Sequence, residues 1–229
     1  PVKDRASWEQ LKEERMRPDD IASRFPANWE TLVAEYNARD YPLGIGGYPF
    51  GLFGTLSHIW GYDKLFLMYY EEPDLVHDIT QTLTDTFLAV CEEVLSRVEL
   101  DHVHFWEDIS FGKGSMVSLD IVREFMLPYY KRIVDFLKQR GVTIFLLDTD
   151  GDCNSLIPLY IEAGITGMYP FETHCGMDIV KVRQQYPNLA ICGGIPKAEI
   201  VKGPAGIDEI LGPVGEVLKT GGYIPFADH

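Results

Sequence analysis

Positive charge is scarce in this sequence. Its 229 residues carry 20 Lys and Arg against 35 Asp and Glu, a formal net charge of −15 at pH 7. A surface of that sign repels phosphate backbones and anionic headgroups, which argues against nucleic acid and membrane surfaces as partners. Long apolar runs are also missing. No stretch approaches the roughly 18 apolar residues of a spanning helix, and no charged-then-apolar leader opens the chain. Neither a membrane span nor a secretory signal is expected, and the expected location is the cytoplasm. Cysteine is sparse: Cys91, Cys153, Cys175 and Cys192 form no C-x-x-C pair, so reduced thiols are expected rather than a disulfide framework. Internal repeats and low-complexity segments are absent. No G-x-G-x-x-G opens a helix after the first strand, which weakens a dinucleotide-binding reading.

What is there is a core. Hydrophobic residues make up 46% of the chain, enough for one domain over residues 1–229. Short apolar runs alternate with longer amphipathic ones. The short runs are Pro42–Gly47, His102–Glu107, Val142–Asp148, Ile165–Pro170, Leu189–Gly193 and Gly222–Ala227. Rich in β-branched and aromatic residues, they read as strands buried on both faces. Between them, Pro73–Leu100 has Leu75, Ile79, Leu83, Phe87, Val90 and Val94 at helical spacing. Ser118–Arg140 reads as a helix capped by Ser118, split at Pro128 and stopped by Gly141. Shorter helices fit Cys153–Ala163, Gly176–Tyr186 and Ile207–Lys219, with Asp152 and Asp178 as capping residues. Residues 1–40 read as a helical N-terminal extension broken at Pro18 and Pro26.

Strand–helix–strand alternation predicts a parallel sheet with right-handed crossovers. The expected fold class is α/β, a TIM-type (β/α)8 barrel that is incomplete, since about six strands are visible where closure takes eight. The chain opens without methionine and stops after a strand, so missing N-terminal strands and a missing C-terminal tail are expected. An open doubly wound sheet is the alternative.

In parallel α/β folds the chemistry collects at the carboxyl ends of strands. Here those ends carry Glu107-Asp108, Asp148-Thr149-Asp150-Gly151-Asp152, Phe171-Glu172 with His174-Cys175, Gly193-Gly194 with Lys197, and Asp228-His229. A single acid after a strand is more often a helix cap than a catalyst. Convergence of Glu107, Asp148, Asp150, Glu172 and Asp228 is different: like charges must be relieved by a proton or a cation. An oxygen-rich cluster suits a hard or borderline divalent ion, and the alternative is one carboxyl kept protonated as a general acid. Asp148 and Asp150, two apart, can point to one side if the strand continues. His229 adds an imidazole that titrates near neutrality. His174-Cys175 has no second Cys or His at ligand spacing, so a zinc pair there is the weaker reading. Gly193 and Gly194 allow close backbone approach, and Lys197 is the one basic group near them.

The segments Glu107–Ser118, Pro128–Arg132, Asp148–Gly151, Pro170–Asp178, Gly193–Lys197 and Gly221–His229 resemble, in order, those of the uroporphyrinogen decarboxylase superfamily. The resemblance implies a TIM-type barrel and two chemistries. One is decarboxylation of uroporphyrinogen side chains, for which no cofactor is needed. The other is methyl transfer involving a corrinoid protein, with zinc activating a thiol acceptor. In the decarboxylases a tyrosine stands where this chain has Thr55, while the late substrate-binding histidine matches His229. In the methyltransferases a zinc motif H-x-C-G aligns with Asp148-Thr149-Asp150-Gly151, and a distant Cys falls at Asp228 or His229, so oxygen and imidazole replace sulfur.

The expected function is therefore a metal-assisted, corrinoid-linked methyltransferase. Glu107, Asp148, Asp150 and His229 are the expected catalytic residues. Asp148, Asp150, Asp228 and His229 are the expected metal ligands, for zinc or a harder ion. Glu172, Gly193, Gly194 and Lys197 are expected to bind substrate. A uroporphyrinogen decarboxylase of tetrapyrrole biosynthesis is the alternative, and a non-catalytic tetrapyrrole-binding barrel the third reading. Expected partners are a small molecule or tetrapyrrole, a corrinoid protein and a second copy of the chain.

Overall fold

The computed structural model describes residues 2–229, and of residues 18 and 19 the backbone only. The N-terminal extension folds as α1 (Arg5–Arg15), a 3₁₀ stretch (Pro18–Arg24) and α2 (Trp29–Asn37). Trp8 of α1 is fully buried, and its indole donates to Asp78 at 2.9 Å, which ties the extension to the long helix α5 (Pro73–Leu95). That helix ends five residues before its expected limit. Val98 and Leu100 remain buried in the turn beyond it.

Six parallel strands follow the six apolar runs: β1 (Gly44–Gly46), β2 (His102–Trp106), β5 (Ile144–Asp148), β6 (Gly167–Phe171), β7 (Ala190–Gly193) and β8 (Tyr223–Ile224). Their order is β1-β2-β5-β6-β7-β8, each strand pairing with the next in sequence. A small hairpin of β3 (Ser110–Phe111) and β4 (Gly114–Ser115) projects after β2. The helices are α3 (Leu52–Trp60), α4 (Tyr62–Glu71), α6 (Leu119–Phe125), α7 (Leu127–Lys138), α8 (Ile157–Ala163), α9 (Ile179–Gln185), α10 (Lys197–Ile200) and α11 (Pro204–Leu218). This sequential parallel sheet, alternating with helices, is a partial TIM-type barrel; a doubly wound sheet would reverse strand order at a switch point.

Local signals account for most boundaries. Ser118 accepts from Ile121 N at 3.3 Å, and Pro128 separates α6 from α7. Asp178 caps α9 through Val180 N and Lys181 N. Asp152 does not cap α8. It accepts from Asn154 N at 3.0 Å in a local turn, and the helix starts later, at Ile157 ahead of Pro158. Helices α3 and α4 lie in a stretch whose glycines, Gly51, Gly54 and Gly61, interrupt the apolar period.

Register sorts the strand side chains. Residues paired across a parallel sheet point to the same face, and alternate residues to opposite faces. Val103–Phe145, Phe105–Leu147 and Met168–Ile191–Tyr223 face the helices and are buried. The other face carries His104, Leu146, Gly167 and Ala190 in one row, and Trp106, Asp148 and Tyr169 in the row nearest the carboxyl rim. This inner face is partly open, with Ile144 and Ile224 exposed. No helix of the described residues is long and apolar enough to cross a membrane.

Candidate active site

The rim row forms the floor of a cleft of about 340 Å³, lined by Trp106, Asp108, Asp148, Asp150, Tyr169, Pro170, Phe226 and His229. Asp108 and Asp150 lie two residues beyond Trp106 and Asp148, so the strand alternation carries them to the same side. The turn between Asp148 and Asp150 holds that phase. Thr149 is buried, its hydroxyl accepting from Ile109 N at 3.1 Å, while Ser110 Oγ donates to Asp150 O at 2.6 Å. Gly151 follows at φ 77°, and a Cβ there would stand 2.2 Å from Phe111 Cα. Only glycine lets the β3–β4 hairpin approach this closely. Gly151 N then donates to Glu172 Oε2 at 2.6 Å, joining two strand ends.

The carboxylates feel one another. Burial, then the Asp150 and Asp108 charges, push the Asp148 carboxyl up to about 7. Asp150 is also raised, by burial first, with His229 opposing and Glu172 and Asp108 adding to it. His229 Nε2 stands 3.3 Å from Asp150 Oδ2. One ligand atom each from Asp150, Glu172 and His229 falls within 4.8 Å of the others. Glu172 is buried, and Lys197 Nζ lies 3.7 Å from its Oε1.

Several expected residues lie elsewhere. Glu107 is fully buried on the helix-facing side, because it continues the phase of Val103 and Phe105 rather than that of Trp106. Its carboxylate accepts from Leu52 N at 2.8 Å and Gly54 N at 3.0 Å at the start of α3, and from the Tyr130 hydroxyl. Burial pushes this carboxyl up to about 7 against hydrogen bonds from Leu52, Gly54 and Phe53. Asp228 and His229 diverge, as neighbours in extended chain do. The Ile195–Ala227 bridge pins the strand, and Asp228 accepts from Thr173 N at 3.1 Å, Thr173 Oγ1 at 2.5 Å and Lys197 N at 3.1 Å. Burial alone would raise its carboxyl, but these bonds hold it below the ordinary carboxylate range. The donor set thus joins Glu172 to Asp150 and His229, with Asp148 beside it and Asp228 turned away. Gly193 and Gly194 are packing positions rather than cleft walls; a Cβ on Gly194 would stand 2.3 Å from Ile179 Cγ2. Lys197 reaches the site through Glu172. Thr55 is spent on the backbone, donating to Pro49 O at 3.1 Å.

The sequence reading named Asp108 only as a strand-end acid and not as a site residue, and it did not name Trp106, Tyr169 or Phe226. The first three follow from strand alternation counted from Asp148. Asp108 is also the one non-glycine at positive φ, 45°, among the described residues, a strained conformation of the kind found at functional sites.

A partial parallel barrel with carboxylates and an imidazole gathered at its carboxyl rim defines the class of (β/α)8-type enzyme folds. The chain belongs to the uroporphyrinogen decarboxylase (URO-D) family, whose model matches residues 6–224. Two curated relatives are named uroporphyrinogen decarboxylase. One, from Chlorobium limicola, is 27% identical over 158 residues, covering 68% of this chain and 41% of the relative. The other, from Chlorobium phaeobacteroides, is 26% identical over 157 residues with the same coverage. The chain therefore spans about two fifths of the length of these relatives. Among solved structures, a methyltransferase from Methanosarcina mazei shares the fold at a TM-score of 0.60 and 15% identity, covering 88% of this chain and 61% of its own.

Proposed function

We propose that the chain is the rim-bearing part of a metal-assisted methyltransferase that works with a corrinoid. The observation that carries this reading is the donor set of Asp150, Glu172 and His229. Two carboxylates and an imidazole suit a hard or borderline divalent ion, and a cation would offset the burial and the neighbouring negative charges that raise Asp148 and Asp150. Such an ion would supply Lewis acidity at a thiol, amine or methoxy group. Around it, Trp106, Tyr169 and Phe226 supply the aromatic part of the cleft lining. Asp148, with its carboxyl near 7, can hold or release a proton at neutral pH. The fold likeness to a methyltransferase is in keeping with this.

The test is methyl transfer from a methylated corrinoid to a thiol, followed by the visible spectrum, with and without chelator. Turnover should require a divalent ion and be lost in the Asp150→Asn/His229→Ala double variant. Chelator-insensitive turnover, or full turnover by the double variant, would refute the reading.

The second reading is uroporphyrinogen decarboxylation without metal, favoured by the names of the curated relatives. Asp148 would then act as a general acid. Against it stands the rim itself. Asp108, Asp148, Asp150 and Glu172 present negative charge to a substrate with eight carboxylates, and among the described residues Lys197, 3.7 Å from Glu172, is the one Lys or Arg in an ion pair with them. Release of CO2 from uroporphyrinogen under chelator would favour this second reading.

A further inference from the structure

Beside the oxygen-rich set lies a second cluster of different chemistry. The 3₁₀ turn Thr173–Cys175 follows β6 and folds back over the Glu172 carboxylate. Cys175 Sγ stands 3.3 Å from His174 Nε2 and 3.7 Å from Glu172 Oε2. His174 Nε2 stands 3.9 Å from Glu172 Oε1. With Zn–S near ~2.3 Å and Zn–N or Zn–O near ~2.0 Å, the edges of a tetrahedral zinc site are about 3.3–3.6 Å. The Cys175–His174 separation matches such an edge, the two separations to the Glu172 oxygens are a few tenths of an ångström longer, and one ligand atom from each residue lies within 4.8 Å of the others.

Two further features point the donors at an ion. Asp228, 1% exposed, lies with Oδ2 3.9 Å from His174 Nδ1. Beyond hydrogen-bond reach, the Asp228 charge acts on Nδ1 through space, on the side of the ring away from the Nε2 that faces Cys175 and Glu172. Glu172 is itself held in place by Gly151 N, which donates at 2.6 Å to the Oε2 that Cys175 faces. Lys197 Nζ, 3.7 Å from Glu172 Oε1, is 46% exposed on a flexible stem and can swing out as an ion enters.

We propose that Glu172, His174 and Cys175 form a second metal site, selective for a thiophilic divalent ion such as Zn²⁺. It shares Glu172 with the oxygen-rich set but requires neither Asp150 nor His229, so it does not depend on the methyl-transfer reading. The ion binds Cys175 as thiolate, and the thiol proton leaves to solvent. The two sets then differ in ion preference: thiolate and imidazole select the softer ion, carboxylates with His229 the harder one.

Co²⁺ titration of the full chain, read by absorption, tests this. The wild type should show a thiolate-to-cobalt charge-transfer band in the near ultraviolet, displaced by Zn²⁺. Cys175→Ser should lose the band, and His174→Ala should weaken binding by about tenfold or more. Cys192→Ala and the Asp150→Asn/His229→Ala double variant should both keep it. No thiolate band in the wild type, a band persisting in Cys175→Ser, or its loss in the double variant would overturn the proposal. Cys175 is partly exposed at a turn, and unchanged circular dichroism of its Ser variant separates lost binding from lost fold.

Discussion

Asp148 binds its proton more tightly in the folded chain than in the unfolded one, because burial and the neighbouring Asp150 and Asp108 charges disfavour its ionised form. A carboxyl raised from 3.8 to about 7 leaves the native state holding more protons between those values. Stability should therefore fall as pH rises across that window. The cleft is partly open to solvent, so the effect is screened to no more than about 2 kcal/mol. Asp148→Asn should flatten this part of the profile and be the more stable protein above pH 7. Urea melts of both proteins from acid to neutral pH check this, and identical slopes would contradict it. Gly151 makes a second prediction at this scale. Gly151→Ala places a methyl group against the Phe111 backbone at positive φ, and should cost more than about 2 kcal/mol in thermal unfolding. It should also loosen Glu172, whose carboxylate the Gly151 amide holds.

At the scale of elements, Glu107 anchors α3 to β2. Its carboxylate satisfies the first amides of that helix and the Tyr130 hydroxyl inside the protein. Glu107→Ala would orphan these donors in a dry setting and should destabilise the fold by about 3 kcal/mol or more. Metal content per folded molecule should not change, because the helix-facing side of β2 does not reach the cleft. A specific loss of metal with full stability would return Glu107 to the rim. The strands were legible from apolar runs, and Ser118, Pro128 and Asp178 marked their helix boundaries as expected. Helices α3 and α4 were not, because glycines dilute their period and packing against each other and against α5 supplies what propensity does not. The rim was half legible. Asp148, Asp150, Glu172 and His229 stood at strand ends in the sequence. Glu107 and Asp228 stood there equally; strand phase turns Glu107 to the helix-facing side, and the long-range Ile195–Ala227 bridge turns Asp228 away from the cleft.

For the molecule as a whole, electrostatics governs the rim. A chain of net charge −15 concentrates four carboxylates at one rim, Asp108, Asp148 and Asp150 in the cleft with Glu172 beside them, and what relieves them decides what the site does. A divalent ion binding there should raise the unfolding temperature of the wild type, by about 2.7 kcal/mol of stabilisation at a hundredfold excess over its dissociation constant. The Asp150→Asn/His229→Ala double variant should show no such gain, as calorimetry with and without Mn²⁺ would report. The most direct measurement is anomalous diffraction at the manganese edge from crystals of the full chain soaked in Mn²⁺. The account predicts a peak within bonding distance of Asp150, Glu172 and His229. The absence of a peak there, or a peak held by Asp228 or Glu107 instead, would contradict it.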